Sequence, residues 1–222
     1  MKSPRITIVT PSFNQGRFIT ETIESVLSQN YPEIEYFVMD GGSMDGTVDI
    51  LRRYESRLAG WTSEKDRRQA HAINKGLIKA TGDIVGYINS DDYFLPGAMS
   101  SLAEAYRRGG DWWSGGCVHF GEGVNKHTQH PSSYRTGYGL YKFCGLPQPS
   151  TFWSKRAMRK TGFFNESLRM ALDYEYWLRL YLSGFRVRTV PSVMAAFRYH
   201  TGSKTCSESF TRERNEVQTR ML

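Results

Sequence analysis

Strand-like and helix-like segments alternate through the first half of the chain, and this alternation restricts the fold more than any other feature. Residues 6–10, 34–39 and 84–88 are apolar or β-branched runs of strand length. Apolar residues recur at the spacing of amphipathic helices within residues 19–27 and 70–80. Repeated strand–helix–strand units predict parallel strands joined by right-handed crossovers, and therefore an α/β fold with a mostly parallel central sheet flanked by helices.

The second half gives a weaker, mixed pattern. The predicted elements are a strand over 112–120, a loop region over 121–150, a short helix over 154–161, a helix from Tyr174 to Gly184, strands over 186–190 and 194–198, and a polar helix over 210–222. The last helix has so weak an apolar face that we expect it to pack on something outside this chain. No linker, repeat or low-complexity tract divides the chain, so we predict a single domain.

Each predicted parallel strand of the first half ends on polar residues. With a further short strand predicted over residues 58–62, the strand ends are residues 10–13, 40–43, 63–66 and 89–92, and three of the four contain carboxylates. In open α/β sheets, ligands bind beyond the carboxyl ends of the strands. The sequence therefore predicts one polar site at this edge of the sheet.

Asp91 and Asp92 are the adjacent carboxylates at the last of these strand ends. Neighbouring carboxylates repel each other unless a cation lies close by, and hard oxygen ligands suit Mg²⁺ or Mn²⁺. An ordinary turn with a helix-capping Asp is the alternative. An EF-hand is excluded because the twelfth residues counted from Asp40 and Asp91 are Leu51 and Leu102.

Three further residues are candidates for chemistry. Asp40, followed by two glycines, could accept a hydrogen bond from a base or a ribose hydroxyl, or could bond its own turn. Asp173 stands at a helix start, either as a general base or as an N-cap. His200 follows a predicted strand among cationic and hydroxyl neighbours, where it could hold a diphosphate or complete a metal shell.

The chain carries 29 basic and 22 acidic residues, and the formal net charge of +7 suits an anionic partner. Nucleic acid, an acidic membrane surface and a phosphorylated small molecule are the classes that this charge allows. The excess is greatest toward the C-terminal side, at Arg156, Arg159, Lys160, Arg179, Arg186, Arg188, Arg198, Lys204, Arg212 and Arg214.

Compartment signals are few. Three separated cysteines, Cys117, Cys144 and Cys206, predict neither a disulfide framework nor a zinc site. The chain shows neither a secretory leader nor an apolar run of membrane-spanning length, so we expect a cytoplasmic protein, with contact to the inner face of a membrane as a further option.

Taken together and in this order, these segments resemble the family 2 glycosyltransferases, which have the GT-A fold, as found in bacterial polysaccharide biosynthesis. The resemblance covers roughly residues 4–205. The segments that carry it are residues 7–14, 40–47, 63–66, 72–76, 89–92, 147–153 and 173–179.

The resemblance implies a donor site made of residues from the first half. Pro11, Ser12 and Asp40 look like the nucleoside pocket. Asp66, Asn74 and Lys75 look like the shelf near ribose and phosphate, and Ser90 falls at a ribose- or sugar-facing position.

The resemblance also implies the metal and acceptor residues. Asp91 and Asp92 match the motif for Mn²⁺ or Mg²⁺, with Asp92 as the more direct ligand, and His200 matches a segment that closes over the diphosphate. Asp173 matches the general base of inverting members. Gln148 and Ser150 look like an acceptor-side loop.

The implied activity is transfer of a sugar from a nucleoside-diphosphate sugar, with UDP ahead of GDP, to a saccharide or lipid-linked acceptor. Residues 1–95 would be the nucleotide-binding half, 96–205 the acceptor-binding half and 207–222 a C-terminal helix. We expect peripheral membrane association as an option and no nucleic-acid partner.

Three alternatives remain at this stage. They are a nucleotidyltransferase, a nucleic-acid- or nucleotide-binding module suggested by Tyr134, Arg135 and the charge, and an inactive homologue that acts as a scaffold.

One departure from the family pattern also matters. Relatives often carry Gly at position 68 and a carboxylate at 71, where this chain has Arg68 and His71. We expect these two differences to affect the shape of the local loop and the contacts with the donor sugar.

Overall fold

A mixed nine-stranded sheet runs through the protein and divides its helices into two layers. The computed structural model describes residues 3–132, 139–141, 145–201 and 208–221. The strands are β1 (Ile6–Ser12), β2 (Ile34–Asp40), β3 (Gly60–Ser63), β4 (Ile84–Tyr87), β5 (Tyr93–Phe94), β6 (Trp112–Gly121), β7 (His127–Gln129), β8 (Thr151–Ser154) and β9 (Arg188–Tyr199). The helices are α1 (Ile19–Leu27), α2 (Thr47–Tyr54), α3 (Gln69–Lys79), α4 (Ala98–Arg107), α5 (Lys155–Thr161), α6 (Leu172–Leu182) and α7 (Glu208–Arg220).

The first half of the sheet is parallel, as the alternation predicts. Its strands lie in the order β3-β2-β1-β4, and every pairing among them is parallel. Ser12 is in register with Asp40, which in turn is in register with Ser63. The polar ends of three strands therefore meet at one edge of the sheet.

The second half of the sheet is mixed. β8 is antiparallel to both β4 and β6, whereas β9 is parallel to β6. The prediction of two late strands is wrong, because residues 188–199 form the single strand β9. The register between β6 and β9 shifts around Gly116, close to Pro191, which has no N–H to donate to a ladder. The region predicted as a loop, 121–150, contains β7 and a 3₁₀ turn over Gln148–Ser150.

Two hydrophobic clusters cover the two faces of the sheet. Ile6 and Ile8 of β1 belong to the cluster beneath α1, α2 and α4, while Val9 belongs to the cluster beneath α3, α5 and α6. Trp112 and Trp113 separate in the same way, since successive side chains of a strand point to opposite faces. The resulting helix–sheet–helix arrangement holds the strand ends rigidly in place.

α7 packs on the chain itself, although its weak apolar face predicts packing on something outside the chain. Val217 is 3% exposed within the cluster that contains Val9, and Phe210 and Met221 pack against that cluster. Polar contacts add to these few apolar ones. The Gln218 amide donates to the carbonyl oxygen of Tyr141 and to the hydroxyl of Tyr174.

Some sequence-based predictions fall outside the described residues. These are the proposals about Tyr134, Arg135, Cys144, Lys204 and Cys206. Cys117 is a buried free thiol. Within the described ranges, none of the helices has the length and hydropathy that a bilayer crossing would need.

Close packing of α3 on β1 leaves too little room for a side chain at Gly76. A Cβ at Gly76 would lie 2.5 Å from Val9 Cγ1 and 2.7 Å from Val9 Cγ2. Alanine favours an isolated helix by about 1 kcal/mol, but overpacking costs about 1–3 kcal/mol. We expect Gly76→Ala to lower the free energy of unfolding by about 1–2 kcal/mol, as measured by urea denaturation. Ile78→Ala, at a side chain that is 68% exposed on the same helix, is the control and should change little. A Gly76→Ala protein as stable as the parent would contradict the packing argument.

Candidate active site

The loops that follow β1 and β2 are tied together by hydrogen bonds. The Asn14 N–H donates to Ser43 Oγ at 2.7 Å, and the Met44 N–H donates to Asn14 Oδ1 at 3.1 Å. The Gly16 N–H donates to Asp45 Oδ2 at 2.9 Å. These bonds fix one loop relative to the other, so the two strand ends form a single floor.

Pro11 and Ser12 end β1 as buried residues of this floor. The carbonyl oxygen of Ser12 accepts from the Gly41 N–H at 2.8 Å. Ser12 Oγ is buried and, within the described part of the chain, has no hydrogen-bond partner. A buried hydroxyl without a partner is costly unless a ligand satisfies it.

Asp40 is fully buried, and its carboxylate is bonded to its own surroundings. Oδ2 accepts from the Ser43 N–H at 2.8 Å and from Ser63 Oγ at 2.7 Å, and Oδ1 accepts from Ser43 Oγ at 2.6 Å. Asp40 therefore holds the ends of β2 and β3 together, which corresponds to the structural alternative of the sequence analysis. Any contact with a base would share an oxygen that already accepts a bond.

Asp66 lies directly over the floor. A Cβ at Gly41 would come within 2.8 Å of Asp66 Oδ2, so only glycine permits this approach. Asp66 Oδ1 accepts from the Arg68 N–H at 2.8 Å. The carboxylate of Asp66 thus joins the β2 loop to the start of α3.

Arg68 occupies a backbone conformation that belongs to glycine. Its φ is 136° and its ψ is −179°, a region populated almost only by glycine and costly by about 1–3 kcal/mol for other residues. Its carbonyl oxygen accepts from the Ala72 N–H, and His71 Nδ1 accepts from the Arg67 N–H. The departure from glycine noted in the sequence is therefore a strained residue at the start of α3.

Lys75 and Asn74 point to different places although they are adjacent in α3. Lys75 Nζ pairs with Glu64 Oε1 at 3.2 Å, in the turn that precedes Asp66. The Asn74 amide is bonded to the segment before α6, because it donates to the carbonyl oxygen of Phe164 and to Glu166 Oε1 and accepts from the Phe164 N–H. Asn74 thus anchors that segment, and both of its amide hydrogens are already used.

The turn after β4 separates its two carboxylates. Asp92 points into the fold with 1% exposure, where Oδ1 accepts from the Arg198 N–H at 2.9 Å and Oδ2 from the Asn89 amide at 3.3 Å. Burial, followed by the neighbouring Asp91 carboxylate, raises the pKa of Asp92 well above its usual value. The Thr22 hydroxyl donates to the Asp92 carbonyl oxygen. Ser90, within the turn, is also buried.

Asp91 points the other way, toward β9. Its Oδ2 lies 3.0 Å from His200 Nε2, and the His200 ring packs against Phe18 with a centroid separation of 4.6 Å. Arg198 also contacts this turn, because its Nε donates to the Asp91 carbonyl oxygen at 3.0 Å. The carboxyl ends of β4 and β9 thereby meet at one carboxylate–imidazole pair.

The predicted ligand set Asp91, Asp92 and His200 does not come together as a set of three. In the described part of the chain, no three His, Cys, Asp or Glu side chains converge on one point that could hold a metal. Asp91 Oδ2 and His200 Nε2 do have the right separation, because adjacent ligands of an octahedral ion with bonds of about 2.1 Å are about 3.0 Å apart. The spacing of Asp91 and His200 thus fits a divalent cation that takes its remaining ligands from elsewhere, whereas Asp92 is buried and bonded to Arg198 and Asn89.

A hydrogen-bonded chain extends this turn toward the second half. Gln69 Nε2 donates to Asn89 Oδ1 at 2.6 Å, and Asn89 Nδ2 donates to Gln148 Oε1 at 3.1 Å. Gln148 Nε2 in turn donates to the Tyr87 carbonyl oxygen at the end of β4. Ser150 is fully buried and its hydroxyl donates to the Gly115 carbonyl oxygen, so it lies inside the fold rather than where an acceptor could reach it.

Asp173 lies in the first turn of α6. Its Oδ1 accepts from the Tyr174 N–H at 2.7 Å. Burial raises the pKa of Asp173 to about 6, against the lowering effect of its backbone hydrogen bonds. A carboxylate with such a pKa remains ionised at neutral pH and is still basic enough to take a proton.

Glu213 of α7 holds the segment that leads into α6. Its carboxylate accepts from three successive N–H groups, those of Arg169, Met170 and Ala171, at 2.8, 2.6 and 2.7 Å. The sequence does not indicate this role, because nothing within α7 shows which distant backbone groups the Glu213 carboxylate contacts.

Replacing Arg68 with glycine should release strain. We expect Arg68→Gly to raise the free energy of unfolding by about 1 kcal/mol, as relief of about 1–3 kcal/mol outweighs the entropic cost of glycine, about 0.5–1 kcal/mol. Urea denaturation measures the difference. Arg68→Ala removes the same side chain but keeps the Cβ, so it should gain nothing. Lower stability for Arg68→Gly would show that the side chain offsets its own strain.

Comparison with known proteins supplies the family. A model described as glycosyl transferase family 2 matches residues 7–168. An uncharacterized glycosyltransferase of Mycobacterium tuberculosis is 30% identical over 186 residues, covering 80% of this chain and 69% of the relative.

Solved structures agree on the fold. TarS of S. aureus, residues 1–349 in complex with UDP-GlcNAc, superposes with a TM-score of 0.77 at 19% identity, covering 96% of this chain and 65% of that one. The mannosyltransferase PcManGT from Pyrobaculum calidifontis, in complex with GDP-Man and Mn²⁺, gives 0.69 at 22% identity, covering 100% and 64%.

These three proteins are longer than this chain, which spans 64–69% of their lengths. The structural likenesses confirm the GT-A fold predicted from the sequence. Since the family model matches well over half of the residues, the chain belongs to the family 2 glycosyltransferases.

Proposed function

We propose that this chain is an inverting, metal-dependent glycosyltransferase that moves a sugar from a nucleoside-diphosphate sugar to a hydroxyl of a saccharide or lipid-linked acceptor. The observation that carries this proposal is the Asp91–His200 pair, with its 3.0 Å separation at the end of β4 and β9. It lies at the edge where the polar ends of the parallel strands meet, the usual place for a ligand in an α/β sheet.

The donor nucleotide would lie on the floor formed by the β1 and β2 loops. Ser12 Oγ is a buried hydroxyl that no described residue satisfies, so it offers a bond to the nucleoside. Asp40 would position this floor, and Asp66 and Lys75 would line its side near the ribose and phosphates. UDP is our first candidate for the nucleotide and GDP the second, since the two structural neighbours hold UDP-GlcNAc and GDP-Man.

Mn²⁺ or Mg²⁺ would be held by Asp91 and His200, with diphosphate oxygens and water as further ligands. Such a cation supplies neutralisation of the charge that grows on the leaving diphosphate. Mn²⁺ is present in one structural neighbour. Asp92, being buried, would fix the turn that presents Asp91 and Ser90.

Asp173 would be the general base. In the proposed step, its carboxylate takes the proton of an acceptor hydroxyl while that oxygen bonds to the anomeric carbon of the donor. The bond from that carbon to the diphosphate oxygen breaks, and the electron pair leaves with the nucleoside diphosphate. One displacement inverts the anomeric centre. Gln148 would belong to the acceptor side next to the metal turn.

We assign these parts to one catalytic domain, with a nucleotide-binding half of about residues 1–95, an acceptor-binding half of about 96–205 and the C-terminal helix that carries Glu213. We also propose a cytoplasmic location, which suits the free thiol of Cys117.

The base role predicts opposite effects of one substitution on activity and stability. Asp173→Asn should lower kcat by about 10²–10⁴-fold, with little change in the KM for the donor. In the parent, kcat/KM should fall as pH drops below about 6, where Asp173 takes up its proton. Initial rates measured from pH 5 to 8 test both.

The same substitution should stabilise the fold at pH 8. The pKa of Asp173 is about 6 in the folded chain and about 3.9 when unfolded, so the folded state holds the proton more tightly and loses stability as pH rises between these values. Asp173→Asn should therefore gain about 1–3 kcal/mol at pH 8 and nothing at pH 3. Asp49→Asn, in the exposed first turn of α2, is the matched control and should change neither property. Normal transfer by Asp173→Asn would exclude the base role.

The donor site predicts stabilisation by nucleotide that depends on metal. A nucleoside diphosphate at about one hundred times its Kd should raise Tm by about 5–10 °C when Mn²⁺ is present and much less when EDTA is present. Asp91→Asn and His200→Gln should abolish the Mn²⁺-dependent part, whereas His127→Gln, at an exposed imidazole, should keep it. Thermal unfolding with UDP, GDP and ADP in parallel identifies the nucleotide. No response to any of them would overturn the proposal.

A further inference from the structure

Four basic residues of the second half gather on one face of the protein. Arg156, Arg159 and Lys160 of α5 are all exposed, and their i, i+3, i+4 spacing places them on one side of that helix. Arg186 is exposed just beyond the end of α6. The segments 151–165 and 176–199, which supply this face, contain no Asp or Glu.

Direct contacts join α5 to the segment that follows α6. Lys160 Nζ donates to the Ser183 carbonyl oxygen at 2.7 Å. Arg156 and Lys160 both lie over the ring of Phe185, at 5.2 and 5.6 Å from its centroid. Arg186 lies 4.1 Å from the centroid of the Tyr181 ring. We call Arg156, Arg159, Lys160 and Arg186 the basic face.

Acidic groups offset only part of its charge. Arg156 pairs with Asp111, and the neighbouring Arg179 pairs with Glu175. Among the described residues, Arg159, Lys160 and Arg186 take part in no ion pair. Three unbalanced cations on one face produce a local positive potential that an anionic partner would neutralise.

Two large apolar side chains stand exposed at the same place. Leu182 is 64% exposed and Phe163 is 43% exposed. Leu182 follows Arg179 by three residues on α6, and Arg179 Nη2 donates to the Phe163 carbonyl oxygen, so both apolar residues flank Arg179. Nucleic acid would use the cations but not an exposed leucine, whereas a lipid surface takes up cations and apolar side chains together.

We propose that the basic face, with Leu182 and Phe163, docks the protein on an anionic lipid bilayer. The cations would contact lipid phosphates, and the two apolar side chains would enter the boundary between headgroups and acyl chains. α6 connects this face to Asp173, nine residues from Leu182 or about 14 Å along the helix. If the proposed function holds, on which this last link rests, the docked protein would meet acceptors carried by lipids.

Vesicle sedimentation tests the docking without nucleotide, metal or acceptor. The parent should bind vesicles made of phosphatidylglycerol and phosphatidylcholine in equal amounts, more weakly as salt rises, and should not bind phosphatidylcholine alone. The triple variant Arg159→Gln/Lys160→Gln/Arg186→Gln should bind the anionic vesicles about tenfold or more less tightly. Leu182→Ser should weaken binding as well.

The matched control removes the same charge from the opposite layer. Arg52→Gln/Arg53→Gln/Arg57→Gln changes three exposed cations on and after α2 and should keep vesicle binding. Equal loss in both triple variants would overturn the proposal, because it would reflect net charge alone. So would no binding of the parent to anionic vesicles, preferential binding of the basic face to single-stranded RNA, or a dimer that Leu182→Ser breaks.

A separate measurement distinguishes the docking proposal from the proposed donor site. The nucleotide- and Mn²⁺-dependent rise in Tm should be the same in the basic-face variant and the parent. If vesicle binding is lost while that rise in Tm is unchanged, the substitutions have affected docking alone. If the parent binds vesicles but its Tm responds to no nucleotide, the docking proposal stands and the proposed sugar transfer is contradicted.

Discussion

The repulsion between two adjacent carboxylates is the constraint on which the rest of the site depends. The chain accommodates this repulsion by turning Asp92 into the fold, where the Arg198 N–H and the Asn89 amide hold it, and by directing Asp91 toward His200. The bond from Arg198 fastens the end of β9 to the end of β4, and this is what brings His200 to 3.0 Å from Asp91. A buried carboxylate is costly by itself, so here its hydrogen bonds matter chiefly because they position Asp91, which is partly exposed.

Local periodicity was enough to predict the parallel half of the sheet. β1, β2 and β4 are short apolar runs that alternate with helices carrying an apolar stripe, and the polar strand ends meet because parallel strands share a carboxyl edge. The same reasoning could not rank Asp91 against Asp92. The inward turn of Asp92 depends on Arg198, 106 residues later, and a pattern of neighbours carries no information about such a partner. The sequence predicts two strands in place of β9 because Pro191 interrupts the strand pattern. In the structure, a register shift accommodates the proline within one strand.

Long-range polar contacts explain the other residues that the sequence placed incompletely. Asn74 lies beside Lys75 in α3, yet its amide fastens Phe164 and Glu166, about ninety residues away. Glu213 belongs to a helix that looks too polar to pack, and it docks that helix by satisfying three backbone N–H groups before α6. Charge-assisted bonds to successive N–H groups are strong, so a helix can be held in place with few apolar contacts. Hydrophobic periodicity therefore underestimates α7.

Arg68 shows the reverse case, in which a single sequence position carried structural information. Its φ of 136° is one that glycine adopts freely, which is why a departure from glycine is noticeable there. The strain persists because both sides of the residue are fixed: its N–H is held by Asp66, and its carbonyl oxygen by Ala72 in α3. Relaxing the backbone would move Asp66 away from Gly41, where only the absence of a Cβ lets the carboxylate approach. The position of Asp66 over the floor and the strain at Arg68 are thus one feature, since neither can change without the other.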